Sequence, residues 1–80
     1  MEDKKKKFQY TLAKVIKNRR ENLKLSMTKA SDVIGLTKSV WSVVEAGERD
    51  PQLFTLWRMA ESLNIPLSEI IKEVEKELGD

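Results

Sequence analysis

Residues 25–51 read LSMTKASDVIGLTKSVWSVVEAGERDP, and the run is punctuated as two short helices joined by a tight turn. Ser26 is a residue type that caps a helix by accepting a backbone N–H, and Ala30, Val33 and Ile34 follow it at helical spacing. Gly35 stops that helix, because glycine takes the left-handed conformation of a helix end without strain. Thr37 caps again, and residues 38–46 put Trp41, Val44 and Glu45 on one face before Gly47 closes the second helix.

The flanking sequence is helical as well. Over residues 8–22, Leu12, Val15 and Ile16, continued by Leu23, gather into one apolar stripe, with Lys14, Lys17 and Arg19 off it. Pro51 suits the start of a fourth helix whose inner stripe is Leu53, Leu56, Met59, Ala60 and Leu63. After Pro66, residues 67–78 carry Leu67, Ile70, Ile71, Val74 and Leu78 at helical spacing, with Lys72, Glu73, Glu75, Lys76 and Glu77 opposite. There is no internal repeat, no low-complexity linker and no convincing strand pattern, so the expected fold class is all-α with five helices.

Eighty residues suffice for one domain, below the usual allotment of roughly 100–200. The expected organisation is a flexible basic arm over residues 1–7 and a single domain over 8–80. A domain this small buries a modest fraction of its surface, so self-association is expected. Cysteine and histidine are absent, which excludes disulfides, thiolate or imidazole metal sites and Ser-His or Cys-His nucleophiles. No cofactor, metal or small-molecule ligand is expected. No apolar run approaches the roughly 18 residues of a membrane span, and Met1 to Lys7 do not begin a signal peptide, so a cytoplasmic location is expected.

The net charge of +2 conceals an asymmetry. Through Lys38 there are eleven Lys/Arg against four Asp/Glu, and beyond it four against nine. A basic first half points to an anionic partner, with nucleic acid the leading candidate. The lysines at 4–7 read either as a solvated tail or as an arm contributing phosphate contacts.

Two helices of about two turns separated by a turn of three or four residues match the helix-turn-helix arrangement, here over about residues 26–46. The segment 25–51 further resembles the phage repressor and Cro type of helix-turn-helix domain, the XRE family. The likeness rests on Leu25-Ser26, Gly35 in the turn, Leu36-Thr37, Glu45, and Gly47-Glu48-Arg49-Asp50-Pro51, similar to the family's G-E-R-x-P. It continues through Leu53, Leu56, Ala60, Leu63 and Ile65, and back to Arg20, covering roughly residues 12–71. The resemblance implies a compact five-helix, lambda-repressor-like domain that dimerises and binds double-stranded DNA with its third helix in the major groove.

On that resemblance Lys38 and Ser39 are the first candidates for base contacts, followed by Val40, Ser42 and Val43. Lysine can donate to guanine O6 or N7, whereas the valines could meet only a thymine methyl group, or else be partly buried or touch protein. Phosphate contacts are expected from Arg19, Thr28, Lys29 and Arg49; these set position and not sequence. The sequence departs from the family where Met27 replaces a phosphate-binding glutamine and where Ala30 and Ser31 replace a larger leucine and an alanine. Trp41, at a usually aliphatic position, is expected in the core. Arg20 and Glu45 stand where the family commonly has an internal ion pair. Phe54, Ile65, Leu67, Ile70 and Val74 are candidates for a dimer interface, shared with the core.

Two functional classes follow. The first is a dimeric transcription regulator, similar in size to restriction-modification controller proteins, that binds a palindromic operator and regulates its own synthesis. The second uses the same fold as an antitoxin or protein-interaction module, with Val40, Val43, Phe54 and Trp57 as its apolar surface. An enzyme is not expected, because carboxylate pairs such as Glu73 and Glu77 lie on a charged solvent face and not in a buried acid–base site.

Overall fold

The computed structural model describes residues 3–79, which form five α-helices: α1 (Asp3–Asn22), α2 (Met27–Val33), α3 (Lys38–Glu45), α4 (Leu53–Ser62) and α5 (Leu67–Glu77). The expected caps are in place. The Ser26 hydroxyl accepts from the Lys29 N–H at 3.0 Å, and the Thr37 hydroxyl from the Val40 N–H at 3.3 Å. Gly35 has φ +71°, and the Leu36 N–H returns to the Ser31 carbonyl at 3.0 Å, the closing bond of a left-handed helix terminus.

The same closure ends α1 and α4 without glycine. Lys24 (φ +59°) precedes a Leu25 N–H bond to the Arg20 carbonyl, and Asn64 (φ +58°) an Ile65 N–H bond to the Ala60 carbonyl. Asparagine tolerates this region, whereas a lysine Cβ there is strained by about 1–2 kcal/mol. Lys24→Gly is therefore expected to stabilise the domain by roughly 0.5–1 kcal/mol, the relief of strain outweighing the extra freedom of glycine in the unfolded chain. Thermal unfolding checks this: the midpoint should rise by several degrees, and a lower midpoint would refute it.

α1 begins earlier than residue 8. Of the arm expected over residues 1–7, Met1 and Glu2 lie outside the described residues, as does Asp80 at the other end; residues 3–7 form the first turns of α1, exposed. Lysine is a good helix former, and Asp3 in the first turn complements the positive end of the helix.

The core is one cluster to which every helix contributes. Leu12 and Ile16 of α1, Ala30 of α2, Trp41 of α3, Met59 of α4, and Ile70 and Val74 of α5 are fully buried. α1 packs on α3 and α5, while α2 packs on α3 and α4. Three side chains expected in apolar stripes are exposed instead: Leu23, Val33 and Leu53. Leu23 follows the last turn of α1, Val33 ends α2 facing solvent while its neighbour Ile34 is buried, and Leu53 is the first residue of α4, a turn before the helix meets the core. The small residues of α2 make room for polar packing. The Ser62 hydroxyl reaches the Ala30 carbonyl at 2.7 Å, and the Ser31 hydroxyl the Met27 carbonyl at 2.7 Å, so neither buried group lacks a partner.

Part of the charge asymmetry is internal. α5 runs antiparallel to α1, with Lys14 3.4 Å from Glu77 and Arg19 paired to Glu73. Two cations of the basic half thus face two carboxylates of the acidic half.

Candidate nucleic-acid interface

α3 is eight residues long and divides into two faces. Trp41 and Val44 point into the core; Lys38, Ser39 and Val40 are exposed, and Ser42 and Val43 are half-buried. The five residues expected to contact bases therefore lie outside the core, on one element. Ser39 is 3.2 Å from the Thr37 hydroxyl, so its own hydroxyl already has a partner.

Val40 and Val43 form the wall of an open cleft of about 400 Å³ between α3 and the loop leading to α4. Ser39, Val44, Arg49, Asp50, Pro51, Gln52 and Thr55 complete its lining. Arg49 is exposed, but so are Glu48 and Asp50 on either side, and the loop carries more negative than positive charge. A phosphate at this loop would meet one guanidinium between two carboxylates, which makes Arg49 a local anchor and not part of a broad positive field.

Thr28 and Lys29 are exposed in the first turn of α2. Met27, in place of the glutamine the resemblance led us to expect, is partly buried and packs against the core. Arg19 stands apart from this group: its guanidinium is turned to Glu73 of α5. The structure brings Lys38, Ser39, Val40, Val43 and Arg49 to one neighbourhood and joins Arg19 to the α1–α5 packing instead.

Behind α3 lies a buried polar knot. Arg20 Nε donates to Glu45 Oε2 at 2.6 Å and Arg20 Nη2 to Glu45 Oε1 at 3.1 Å, a two-pronged pair. Arg20 Nη1 donates to the Leu25 carbonyl at 2.6 Å, and the Trp41 indole N–H to Glu45 Oε2 at 2.6 Å. The side chains of Arg20 and Glu45 are 10% and 5% exposed, so both charges are withdrawn from water and depend on each other. The bond to Glu45 raises the Arg20 pKa above its ordinary value, against the opposing effect of burial. One carboxylate thus ties α1, the turn before α2, and α3, and holds the exposed face of α3 at a fixed angle to the rest of the domain. At the other end of α3, Gln9 Nε2 donates to the Gly47 carbonyl at 3.3 Å. A Cβ on Gly47 would meet the Tyr10 Cα at an ordinary contact distance of 3.5 Å, so it is the left-handed φ of +72° and not a lack of space that favours glycine there.

Sequence reading missed the Trp41–Glu45 bond, although the i, i+4 spacing of an indole and a carboxylate on one helix is a usable signal. It also missed Arg58, whose Nη2 donates to the Ile34 carbonyl at 3.0 Å and ties α4 to the end of α2.

The dimer candidates separate into three groups. Ile70 and Val74 are fully buried within the monomer, which removes them from any interface; the stripe they share closes on α1 and α4. Ile65 and Leu67 are partly buried against the core. Phe54 is 69% exposed, flanked by Leu53 at 71% and Trp57 at 48%, and the rings of Phe54 and Trp57 lie tilted at 5.9 Å between centroids.

Among the described residues no cluster of carboxylates could hold a metal ion, and no helix is long and apolar enough to cross a membrane.

Comparison with known proteins bears on this face. The helix-turn-helix family HTH_3 matches residues 16–70. The control protein C.MunI of Mycoplasma sp is 34% identical over 64 residues, which cover 80% of this chain and 86% of that protein. The HTH-type transcriptional regulator SutR of Escherichia coli (strain K12) is 30% identical over 60 residues, 75% of this chain; the match spans about a third (34%) of SutR. An HTH_3 family transcriptional regulator from Vibrio cholerae, solved by crystallography, superposes with a TM-score of 0.79 at 28% identity over 85% of this chain and 38% of that one.

Proposed function

This chain belongs to the helix-turn-helix family HTH_3, a family of DNA-binding transcription regulators, and from that premise we propose that it binds a palindromic operator as a homodimer through α3. The observation that carries the proposal is the division of α3: Trp41 and the Glu45 knot fix its inner face, while Lys38, Ser39, Val40 and Val43 are left outward on a braced helix. A helix held this way can present side chains to base edges in a major groove about 12 Å wide. In this reading Lys38 donates to a guanine, and Thr28, Lys29 and Arg49 meet phosphates. Arg19 contributes only where its bond to Glu73 is exchanged for one to phosphate. The basic first turns of α1 add contacts that release counterions without reading sequence.

The second copy is assigned to Leu53, Phe54 and Trp57, an exposed apolar patch of the kind that marks protein contacts. Two-fold pairing would set two α3 helices roughly one DNA turn apart, about 34 Å. Regulation of its own synthesis is part of the proposal, supported by the likeness to a control protein, and requires that the operator lie beside its own coding sequence. A cytoplasmic location is part of the same proposal.

Selection of bound duplexes from a random library, followed by salt titration, tests the reading. An enriched palindrome is expected, with affinity that falls steeply with salt yet stays well above a scrambled control. Lys38→Ala removes one base-edge contact from each half-site and should weaken operator binding about 100-fold, roughly tenfold per half-site, and relax the preference at one position of each half-site. If no sequence is enriched, the protein-interaction reading gains, favoured then by the valines of α3 and the acidic neighbours of Arg49.

A further inference from the structure

The outward face of α3 is poor in hydrogen-bonding groups. Lys38 is its one cation, and its only hydroxyls are those of Ser39, 3.2 Å from the Thr37 hydroxyl, and of the half-buried Ser42. What remains is Val40, 38% exposed, and Val43 one turn further along, side by side on the wall of the cleft that Arg49 rims. Isolated exposed valines are ordinary. Two on the same face at i, i+3 spacing, on the one helix whose inner side is braced by a buried ion pair, form a small apolar strip in the position of a reading surface.

In the major groove such a strip has one complementary feature. Every polar group on the base edges needs a donor or acceptor that valine lacks, whereas the C5 methyl group of thymine projects into the groove and is apolar. 5-Methylcytosine carries the same methyl at the same place. Resting on the operator-binding proposal above, we infer that α3 recognises pyrimidine C5 methyl groups through Val40 and Val43, with Lys38 reading an adjacent guanine. The cleft gives the methyl somewhere to go: it opens between α3 and the loop that carries Arg49 and Asp50, both of which line it. The apolar wall is what complements a methyl group, while the rim offers a phosphate one guanidinium beside the Asp50 carboxylate. The resulting specificity is for methyl pattern more than for hydrogen-bond pattern.

The test exploits deoxyuridine, which pairs like thymidine and lacks only the methyl. Starting from the enriched operator, each thymine is replaced in turn, and affinity is measured with the full-length wild-type protein. One or two positions per half-site should lose about fourfold each, the expected effect of no longer burying one methyl group, and symmetric replacement in both half-sites about 15-fold. Cytosine at such a position should bind worse than 5-methylcytosine, which separates a methyl effect from a thymine-specific one. In Val40→Ala or Val43→Ala, judged folded by an unchanged melting curve, the penalty at the matching position should vanish. If operator binding is specific yet deoxyuridine equals thymidine everywhere, or if the penalty persists in both valine variants, the methyl inference is overturned while operator binding stands. If no operator is enriched at all, the DNA reading of α3 falls and this inference falls with it.

Discussion

Glu45→Ala is expected to destabilise the domain by about 3–5 kcal/mol, the usual cost of removing one partner from a buried ion pair. The reasoning starts from what the carboxylate holds. Both of its oxygens accept from Arg20, and Oε2 also accepts the indole N–H of Trp41. Alanine leaves a guanidinium with the Leu25 carbonyl and the more exposed Glu21 carboxylate at 3.9 Å, and an indole N–H in the core with no partner. An 80-residue domain has total stability on the order of 4–12 kcal/mol, so the variant should be partly unfolded near room temperature. Urea unfolding followed by tryptophan fluorescence measures the loss. A value below about 1 kcal/mol would mean the pair acts like an exposed one. Glu45→Gln keeps the shape and one acceptor for Trp41 and should fall between. Adding Arg20→Met to Glu45→Ala should restore part of the loss, because it removes the unpaired charge. The arginine contributes no pH dependence near neutrality: its folded pKa is raised, so its share of stability is fully present below the unfolded value and is lost only at strongly alkaline pH.

The same knot shows why some of this molecule could be read in advance. The bounds of α2 and α3 are set by chemistry local to Ser26, Gly35, Thr37 and Gly47, each of which meets its neighbours within four residues, so the sequence alone carries the information. Trp41 could be assigned inward by its phase with Val44. Its bond to Glu45 required knowing how the ring turns within that face. The α5 stripe is the opposite case. Core and interface residues obey one periodicity, and only the docking of α5 on α1 and α4 shows that Ile70 and Val74 are enclosed. Likewise nothing local to Arg19 marks it for Glu73, which lies 54 residues away. Leu53 fits the stripe of α4 by spacing and is exposed because the helix begins before it reaches the core. Geometry thereby adds Leu53 to an apolar surface that already held Phe54 and Trp57, the patch on which the proposed pairing of two chains depends.

That pairing yields the second large effect. In Phe54→Ser combined with Trp57→Ser, the protein is expected to become monomeric and to lose operator affinity by about 100-fold or more. The loss comes from connectivity. In a dimer the second half-site is occupied at the high effective concentration set by the first, and this gain over single-site binding is typically 10²–10⁴-fold. A monomer must engage each half-site separately, so its affinity for an isolated half-site should be unchanged. Aromatic side chains bury roughly 150–250 Å² each, so at 69% and 48% exposure the two rings offer a substantial apolar area per chain that the monomer leaves in water. Because neither ring belongs to the buried cluster, melting of the isolated domain should change by less than about 1 kcal/mol. That small change distinguishes a lost partner from a lost fold. Sedimentation of wild type and variant at equal concentration gives the decisive comparison. A wild-type dimer and a folded monomeric variant support the patch as the two-fold contact; a variant that remains dimeric would place the contact elsewhere, with the partly buried Ile65 and Leu67 the next residues to replace.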